Sequence, residues 1–154
     1  MKYVTRVLQP DESVVYTTRL HPLIFLPAVL WLGLAVLCLV GALMTDQQEF
    51  RIGFLAGAAI LGLLAVLSWA RAAIRRATTE LAITDRRVIY KTGLLARHTL
   101  EMNRGKVESV DVNQSVLGRM FGFGTIVLRG TGGSLEPMRM ISDPLVFRSH
   151  ITAA

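Results

Sequence analysis

The sequence contains little cysteine, few charged residues and few aromatic residues. Of its 154 residues, 1 is cysteine, 18% are charged and 7% are aromatic. A single cysteine excludes an internal disulfide framework and a zinc site built from several thiolates. The chain is instead 52% apolar, with a mean hydropathy of +0.47. This apolar excess is larger than an ordinary soluble domain carries, and its long runs exclude disorder as the main state.

Two long apolar runs account for most of this excess. Residues 23–44 contain no charged side chain, and neither do residues 52–70. A helix needs about 20 apolar residues to cross the roughly 30 Å hydrocarbon core of a bilayer. Because the short connection 45–51 can only join antiparallel neighbours, the sequence predicts a transmembrane helical hairpin over residues 23–70. A buried hairpin in a soluble protein is the other interpretation, but residues 71–154 are too few to cover two such helices.

Basic residues predict the orientation of this hairpin. The connection between the two runs carries one arginine and two acidic residues, whereas basic side chains flank the hairpin on both outer sides. These are Lys2, Arg6 and Arg19 before it, and Arg71, Arg75 and Arg76 after it. Since positive charge stays in the cytoplasm, we expect both termini on the cytoplasmic side of the membrane.

Small residues gather on the second apolar run. Gly53, Gly57, Ala58 and Gly62 lie there, and the first two glycines form a GxxxG pattern, which permits close approach of helices. The pattern is compatible with contact inside the hairpin and with docking on a second copy or another membrane protein. We favour contact inside the hairpin, because the motif is common in membrane helices, and expect these glycines to be helix-packing positions.

Residues 71–154 have the pattern of a small basic β domain, with 13 Lys and Arg against 7 Asp and Glu. Short β-type stretches separated by turn signals predict six strands, at residues 78–84, 87–92, 97–102, 106–112, 125–129 and 135–141. Such spacing is typical of an antiparallel barrel or sandwich. The glycines between and within these stretches are expected in turns and bulges, among them those at positions 118, 122, 124, 130, 132 and 133.

Three further segments complete the predicted elements. Residues 116–121 predict a single helical turn. Ser142 or Asp143, followed by Pro144, predicts the start of a C-terminal helix that closes one end of a small barrel. Residues 13–18 predict another strand, whose place on the same side of the membrane would let it pair with the C-terminal sheet.

We find no sequence pattern typical of a catalytic or cofactor site. His21, His98 and His150 are far apart and lack the i, i+4 spacing of a helical metal site. A nucleophile elbow, a phosphate-binding loop and a dinucleotide fingerprint are all missing from the sequence. The pI of about 10.2 is not accompanied by an element suited to reading nucleic acid. We therefore expect no enzyme, cofactor, metal, small-molecule substrate or nucleic-acid partner.

Arg86, Arg87 and Lys91 form the charged cluster with the strongest case for binding. In most proteins such a run is a solvated face. Basic residues close to anionic lipid, however, contribute up to about 1 kcal/mol each to membrane binding. These three residues are therefore the candidates for a lipid headgroup or an acidic partner.

The string LAITDRRVI at 81–89, followed by GLL at 93–95, resembles the bacterial pleckstrin-homology-like domain of the YdbS/YdbT type. The strings VDVNQSVLGR at 110–119, FGTI at 123–126 and DP at 143–144 are similar to further segments of that family. The resemblance implies a strongly bent antiparallel sheet, a partly open barrel with a C-terminal capping helix. Members of the family commonly place a pair of membrane spans directly before the domain. The resemblance implies no activity, because fold does not determine function.

These features together predict an integral protein of the bacterial cytoplasmic membrane. Residues 1–22 would be a cytoplasmic segment, residues 23–70 the hairpin, and residues 71–154 a cytoplasmic pleckstrin-homology-like domain. We expect a non-enzymatic interaction module, an adaptor or accessory subunit that binds another membrane protein or a second copy through a sheet edge or barrel rim. The alternative is a sensor of anionic membrane lipid that uses the basic turn at 85–87.

Overall fold

The computed structural model describes residues 3–94, 98–131 and 136–152. Features predicted at Lys2, Leu95, Arg97, Leu135 and glycines 132 and 133 lie outside these residues. The helices are α1 (Val4–Val7), α2 (Leu26–Met44), α3 (Gln48–Thr78), α4 (Val116–Phe121) and α5 (Pro144–Thr152). The strands are β1 (Val14–Thr18), β2 (Glu80–Thr84), β3 (Arg87–Thr92), β4 (His98–Asn103), β5 (Val107–Asn113), β6 (Phe123–Gly130) and β7 (Glu136–Ser142).

The chain folds as two units. One is a helical hairpin formed by residues 22–74, and the other is a β domain formed by residues 3–21 together with residues 75–152. The β domain is therefore discontinuous in sequence, because the hairpin is inserted between β1 and β2. Element α3 begins at residue 48 and ends at residue 78, so the turn between α2 and α3 contains only residues 45–47.

The strands of the β domain form two antiparallel sheets. Their orders are β1-β2-β3-β4 and β5-β6-β7. The prediction of a small antiparallel β domain with a C-terminal helix is confirmed, but the described strands do not close into a barrel. A 3₁₀ turn at Arg104–Lys106 separates β4 from β5, and the Asn103 side chain accepts a hydrogen bond from Gly105 N at 3.0 Å at its start. This turn leads the chain out of the first sheet and into the second.

The N-terminal segment connects the two sheets. Strand β1 pairs with β2, so that Thr17 lies opposite Ala82. The residues that follow β1 then bond to β7: Ser142 N donates to Arg19 O at 3.2 Å, and His21 N donates to Met140 O at 2.7 Å. One extended stretch therefore belongs to both sheets and holds them together.

The core of the β domain follows from alternating burial along its strands. In β6 every second residue is buried, including Ile126 and Leu128, as expected for a strand with one face toward the core. Helix α5 buries Phe147 and Ile151 in the same unit. On the first sheet, Val4 of α1 joins a buried cluster of Val4, Ala82 and Ile89. The short N-terminal helix is thus part of the core.

The buried side chains of the hairpin helices are alanines. The buried residues of α2 are Ala28, Ala35 and Ala42, and those of α3 are Ala58, Ala65 and Ala72. A spacing of seven residues returns to the same helix face after two turns, and small side chains there let two helices approach closely. Both helices are long and apolar enough to cross a membrane. Only 11% of each apolar stretch is buried, so most of its side chains point away from the hairpin.

Candidate interaction surfaces

Arg87, predicted as a binding residue, is engaged inside the β domain. Its Nη2 and Nε atoms donate to the two oxygens of Glu12 at 2.7 and 2.9 Å, and its Nη1 donates to Glu101 at 2.6 Å. Nη2 also donates to Val7 O at 2.9 Å. The guanidinium thereby links β3 to the N-terminal segment and to β4, which is a structural role that the sequence pattern does not show.

Glu12 is the buried partner in this arrangement. Its side chain is 0% exposed, and its carboxylate also accepts hydrogen bonds from Gln9 N at 2.8 Å and Thr84 Oγ1 at 2.7 Å. The hydrogen bond from Arg87 lowers the pKa of Glu12 to about 2, against the opposing effect of burial. The same hydrogen bond raises the pKa of Arg87. Both groups therefore stay ionised and paired at neutral pH.

The other two residues of the predicted basic cluster have different environments. Arg86 is exposed in the turn between β2 and β3. The Lys91 ammonium lies 5.1 Å from the centre of the Tyr3 ring, a cation–π contact. The three residues do not form a single open cationic pocket, because Arg87 is bonded to two carboxylates. Arg86 is the member of the cluster that presents its charge to solvent.

The three glycines predicted for helix packing differ in their surroundings. A Cβ atom added at Gly57 would lie 3.7 Å from Cys38 Sγ, so this position faces α2. At Gly53 and Gly62 an added Cβ would have no neighbour within 4 Å in the described structure. The buried positions of the two helices are alanines, of which the sequence analysis singled out Ala58 alone. The repeat of alanine at every seventh position in both helices is the sequence pattern that indicates these buried positions.

A cleft lies beside the outer edge of β4. Its volume is about 380 Å³, and its lining residues are Leu100, Glu101, Met102, Asn103, Lys106, Gly130 and Thr131. Strand β4 pairs with β3 on one side and, among the described strands, with none on the other. An unpaired strand edge presents backbone N–H and C=O groups that can accept another strand. The predicted sheet edge is therefore present, with a cleft next to it.

Helices α4 and α5 present a second exposed surface, which we call the α4–α5 face. It consists of the exposed apolar residues Val116, Leu117, Met120, Phe121, Leu145 and Val146. The sequence analysis predicted the helical turn at 116–121 but not its exposure. The signal was the string VLGRMF, which places four large apolar residues around a glycine within a single short helix.

Two of the three histidines stack on aromatic rings. His150 stacks on Tyr16 with ring centroids 4.4 Å apart, and His21 stacks on Phe123 at 5.4 Å. Within residues 3–94, 98–131 and 136–152, no group of three or more His, Cys, Asp or Glu side chains is placed to hold a metal ion. Neither histidine contact places a ring for metal binding.

Comparison with known proteins supplies the family. The model for the bacterial PH domain matches residues 22–154, which include the hairpin and the β domain from β2 onward. The comparison with curated proteins gave no match, and neither did the comparison with solved structures. The family match begins after β1, although β1 is an integral strand of the first sheet. Since it covers well over half of the sequence, the chain belongs to the bacterial PH domain family.

Proposed function

We propose that the chain is a non-enzymatic interaction module of the bacterial cytoplasmic membrane, an adaptor or accessory subunit of a membrane protein complex. In this proposal the hairpin anchors the chain, and the β domain binds an extended segment of a protein partner. The observation that carries the proposal is the cleft beside the unpaired edge of β4. A second copy of the chain and an anionic lipid are the other candidate ligands.

Exposed apolar side chains on both helices support the anchoring. On α2, Leu37 and Leu43 are 66% and 78% exposed, and on α3, Ile60 and Val66 are 61% and 63% exposed. Burying an aliphatic side chain of this size stabilises a structure by about 2 kcal/mol. A hairpin with this many outward apolar residues is therefore far more stable in hydrocarbon than in water.

Strand pairing supports the proposal that both ends of the hairpin lie on one side of the membrane. Strand β1 precedes the hairpin and β2 follows it, yet the two strands pair directly. A chain that crosses the bilayer between them must cross it twice before they can meet. The basic residues at 71–76 and the scarcity of positive charge at 45–51 favour the cytoplasm as that side.

The cleft fits an extended peptide segment. Main-chain hydrogen bonds to an open strand edge supply affinity, and neighbouring side chains supply specificity. Leu100 and Met102 offer apolar surface in the cleft, and Lys106 offers a positive charge. A partner segment with alternating apolar residues and an acidic side chain would match these groups.

The test is purification of the full-length chain from its own membrane in mild detergent, followed by native mass spectrometry. We expect a co-purifying protein at fixed stoichiometry. A photo-crosslinking amino acid at Thr131, which lines the cleft, should form a covalent product with that same protein.

Two charge-reversal variants make this test specific. Lys106→Glu should remove the co-purifying protein, whereas Arg139→Glu, an exposed change of the same charge on β7, should retain it. A partner that both variants retain and that does not crosslink from Thr131 would contradict binding at the cleft. A chain that carries only a second copy or anionic lipid would contradict the adaptor function.

Anionic lipid at the basic turn has less support from the geometry. Arg87 is bonded to Glu12 and Glu101, and Lys91 lies over Tyr3, so Arg86 is the residue left to make a headgroup contact. If this turn binds lipid, Arg86→Glu should reduce the anionic lipid retained by the purified chain. Equal retention by Arg86→Glu and the unaltered chain would exclude the turn as a lipid site.

A further inference from the structure

We propose that the α4–α5 face is a lipid-contacting surface that inserts into the interfacial region of an anionic bilayer. This would be a second membrane contact, made by the β domain itself and separate from the hairpin. The inference rests on the membrane anchoring proposed above, and it uses neither the basic turn nor the cleft beside β4.

The apolar side of α4 points away from its own domain. Gly118 is the buried residue of this helix, and a Cβ added there would lie 2.6 Å from Phe123 O. The backbone therefore packs directly against β6 at this position. On the opposite side, Val116 and Met120 are 77% and 73% exposed. This is the reverse of the usual arrangement, in which a surface helix turns its apolar side toward the core.

The two helices form a continuous surface. Asp143 N, just before α5, donates to Gly122 O, just after α4, at 2.9 Å. A shallow cavity of about 270 Å³ lies between α4 and the start of α5. Arg119 of α4 and Pro144 and Leu145 of α5 are among the residues that line it. Large apolar side chains that gather at the surface of a soluble domain mark an interaction site.

The charges beside the α4–α5 face favour an anionic bilayer as its occupant. Arg119 lies within α4, and Arg148 lies three residues after Leu145 on α5, so both are beside the apolar residues and both are exposed. We compared the charges of α4, of α5 and of the residue just before each helix. Asp143, just before α5, is the one acidic residue among them. Large apolar side chains bordered by basic ones are typical of segments that lie at the boundary between headgroups and acyl chains.

The covalent connection to the hairpin gives a second reason for this occupant. Helix α3 runs from the proposed anchor into the β domain, whose residues begin again at Arg75. A short tether makes the second binding event intramolecular and raises the effective concentration of its target. The tether therefore keeps the β domain close to a bilayer.

The experiment places a fluorescent NBD probe on the full-length chain in nanodiscs that hold one copy each and contain phosphatidylglycerol and phosphatidylcholine. The native cysteine is removed by Cys38→Ala, and single cysteines are introduced by Met120→Cys, Leu37→Cys or Glu108→Cys. Leu37→Cys reports the lipid-exposed side of α2, and Glu108→Cys reports an exposed residue of β5. Lipids that carry nitroxide near the headgroup or deep in the acyl chain report depth.

We expect emission from the probe at position 120 to shift to shorter wavelength than at position 108, with stronger quenching by the headgroup nitroxide. Leu117→Glu should abolish this shift, whereas Thr99→Glu, an exposed change on β4, should leave it intact. Water-like emission at position 120 would overturn the inference. A blue shift without nitroxide quenching would also overturn it, because the probe would then be covered by protein.

The probe at position 37 separates this inference from the proposed anchoring. Strong quenching there by the deep nitroxide, with none at position 120, would retain the anchor and reject the α4–α5 face as a lipid contact. Absence of deep quenching at position 37 would reject the anchor, and with it the basis of the inference.

Discussion

The carboxylate of Glu12 is fully buried and receives four hydrogen bonds from Gln9, Thr84 and Arg87. A buried charge is tolerated only when it is paired and its remaining acceptor positions are occupied. This carboxylate therefore helps to hold the N-terminal segment against β2 and β3. It also engages the guanidinium of Arg87, a predicted binding residue, inside the β domain.

Removal of the Arg87 side chain should destabilise the β domain. Arg87→Ala would leave Glu12 buried without its partner, and we expect the free energy of unfolding of the β domain to fall by about 3 kcal/mol. Arg86→Ala, at an exposed neighbour, should change it by less than about 0.5 kcal/mol. All three tyrosines lie in the β domain, so ¹⁹F NMR of fluorotyrosine during urea titration in detergent measures its unfolding.

A double replacement is the control for this prediction. Glu12→Met with Arg87→Met removes both charges together, and it should recover much of the lost stability because no unpaired charge is buried. Equal stability of Arg87→Ala and Arg86→Ala would contradict the structural role of the ion pair.

The stability of the β domain should depend on pH through the carboxylate of Glu12. Because folding lowers the pKa of Glu12 from 4.5 to about 2, its contribution is fully present above about pH 4.5 and is lost as the pH falls toward 2. We expect the unaltered chain to be more stable than Glu12→Gln at pH 6, and this difference to shrink as the pH falls through that window. Urea titrations at several pH values measure the difference. A gap between the two chains that does not change with pH would contradict the lowered pKa.

At the scale of elements, small residues of each hairpin helix face larger side chains of the other: an added Cβ would lie 3.0 Å from the Phe54 ring at Gly41 and 3.7 Å from Cys38 Sγ at Gly57. Alanine at every seventh position of α2 and α3 is buried, while Gly53 and Gly62 have open space around an added Cβ. In a membrane, close packing of small residues replaces the hydrophobic effect as the force between helices. The two open glycines are therefore not needed for the hairpin of a single chain.

The native cysteine, Cys38, can test the register of α2 against α3. In Gly57→Cys, the new Cβ would lie 3.7 Å from Cys38 Sγ, so we expect rapid formation of an intramolecular disulfide under mild oxidation. Gly62→Cys, whose added Cβ has no neighbour within 4 Å, should not form this disulfide. Intact-mass measurement of the loss of two hydrogens detects the bond. Crosslinking of Gly62→Cys at the rate of Gly57→Cys would contradict the described register of α2 against α3.

At the scale of the whole molecule, the β domain is assembled from both ends of the hairpin. The segment before α2 supplies β1, the buried residues Val4 and Leu20, and the carboxylate of Glu12. The family match begins at residue 22 and so omits this segment. Its strand pairing with β2 and its bonds to β7 nevertheless make it part of the domain.

Removal of the segment before Pro22 should destabilise the β domain. A chain that begins at Pro22, where the family match begins, would lose two buried apolar side chains, each contributing about 2 kcal/mol. It would also leave Arg87 without Glu12. We expect the β domain of this chain to unfold or to lose amide exchange protection in β2 and β7, measured by hydrogen–deuterium exchange in detergent. Native protection in both strands would contradict the role of the N-terminal segment.

Cysteine labelling in intact cells can test the proposed membrane orientation of the hairpin. In a Cys38→Ala chain, Gln47→Cys in the turn between α2 and α3 should react with a membrane-impermeant maleimide in intact cells. Ser149→Cys on α5 should react only after lysis, since the proposed topology puts the β domain in the cytoplasm and this turn outside it. Labelling of position 149 in intact cells would contradict the proposed orientation.

The sequence by itself determined the elements. Alternation of apolar residues and turn signals located every strand to within two residues at the described ends, because these signals are local in the chain. Composition and length also reveal the two long apolar helices, although α3 extends well beyond the predicted residues 52–70 at both ends. The strings at 81–95 and 110–126 led to the family that the comparison with known proteins then supplied.

Only the tertiary structure decided which residues are available to bind. The pairing of Arg87 with Glu12 joins residues 75 positions apart, and no local pattern predicts such a contact. The outward direction of the apolar side of α4 depends on where Gly118 meets β6. The division into two sheets depends on the turn at Arg104–Lys106. Local patterns fix secondary structure, whereas exposure and charge pairing depend on contacts between segments that are distant in sequence.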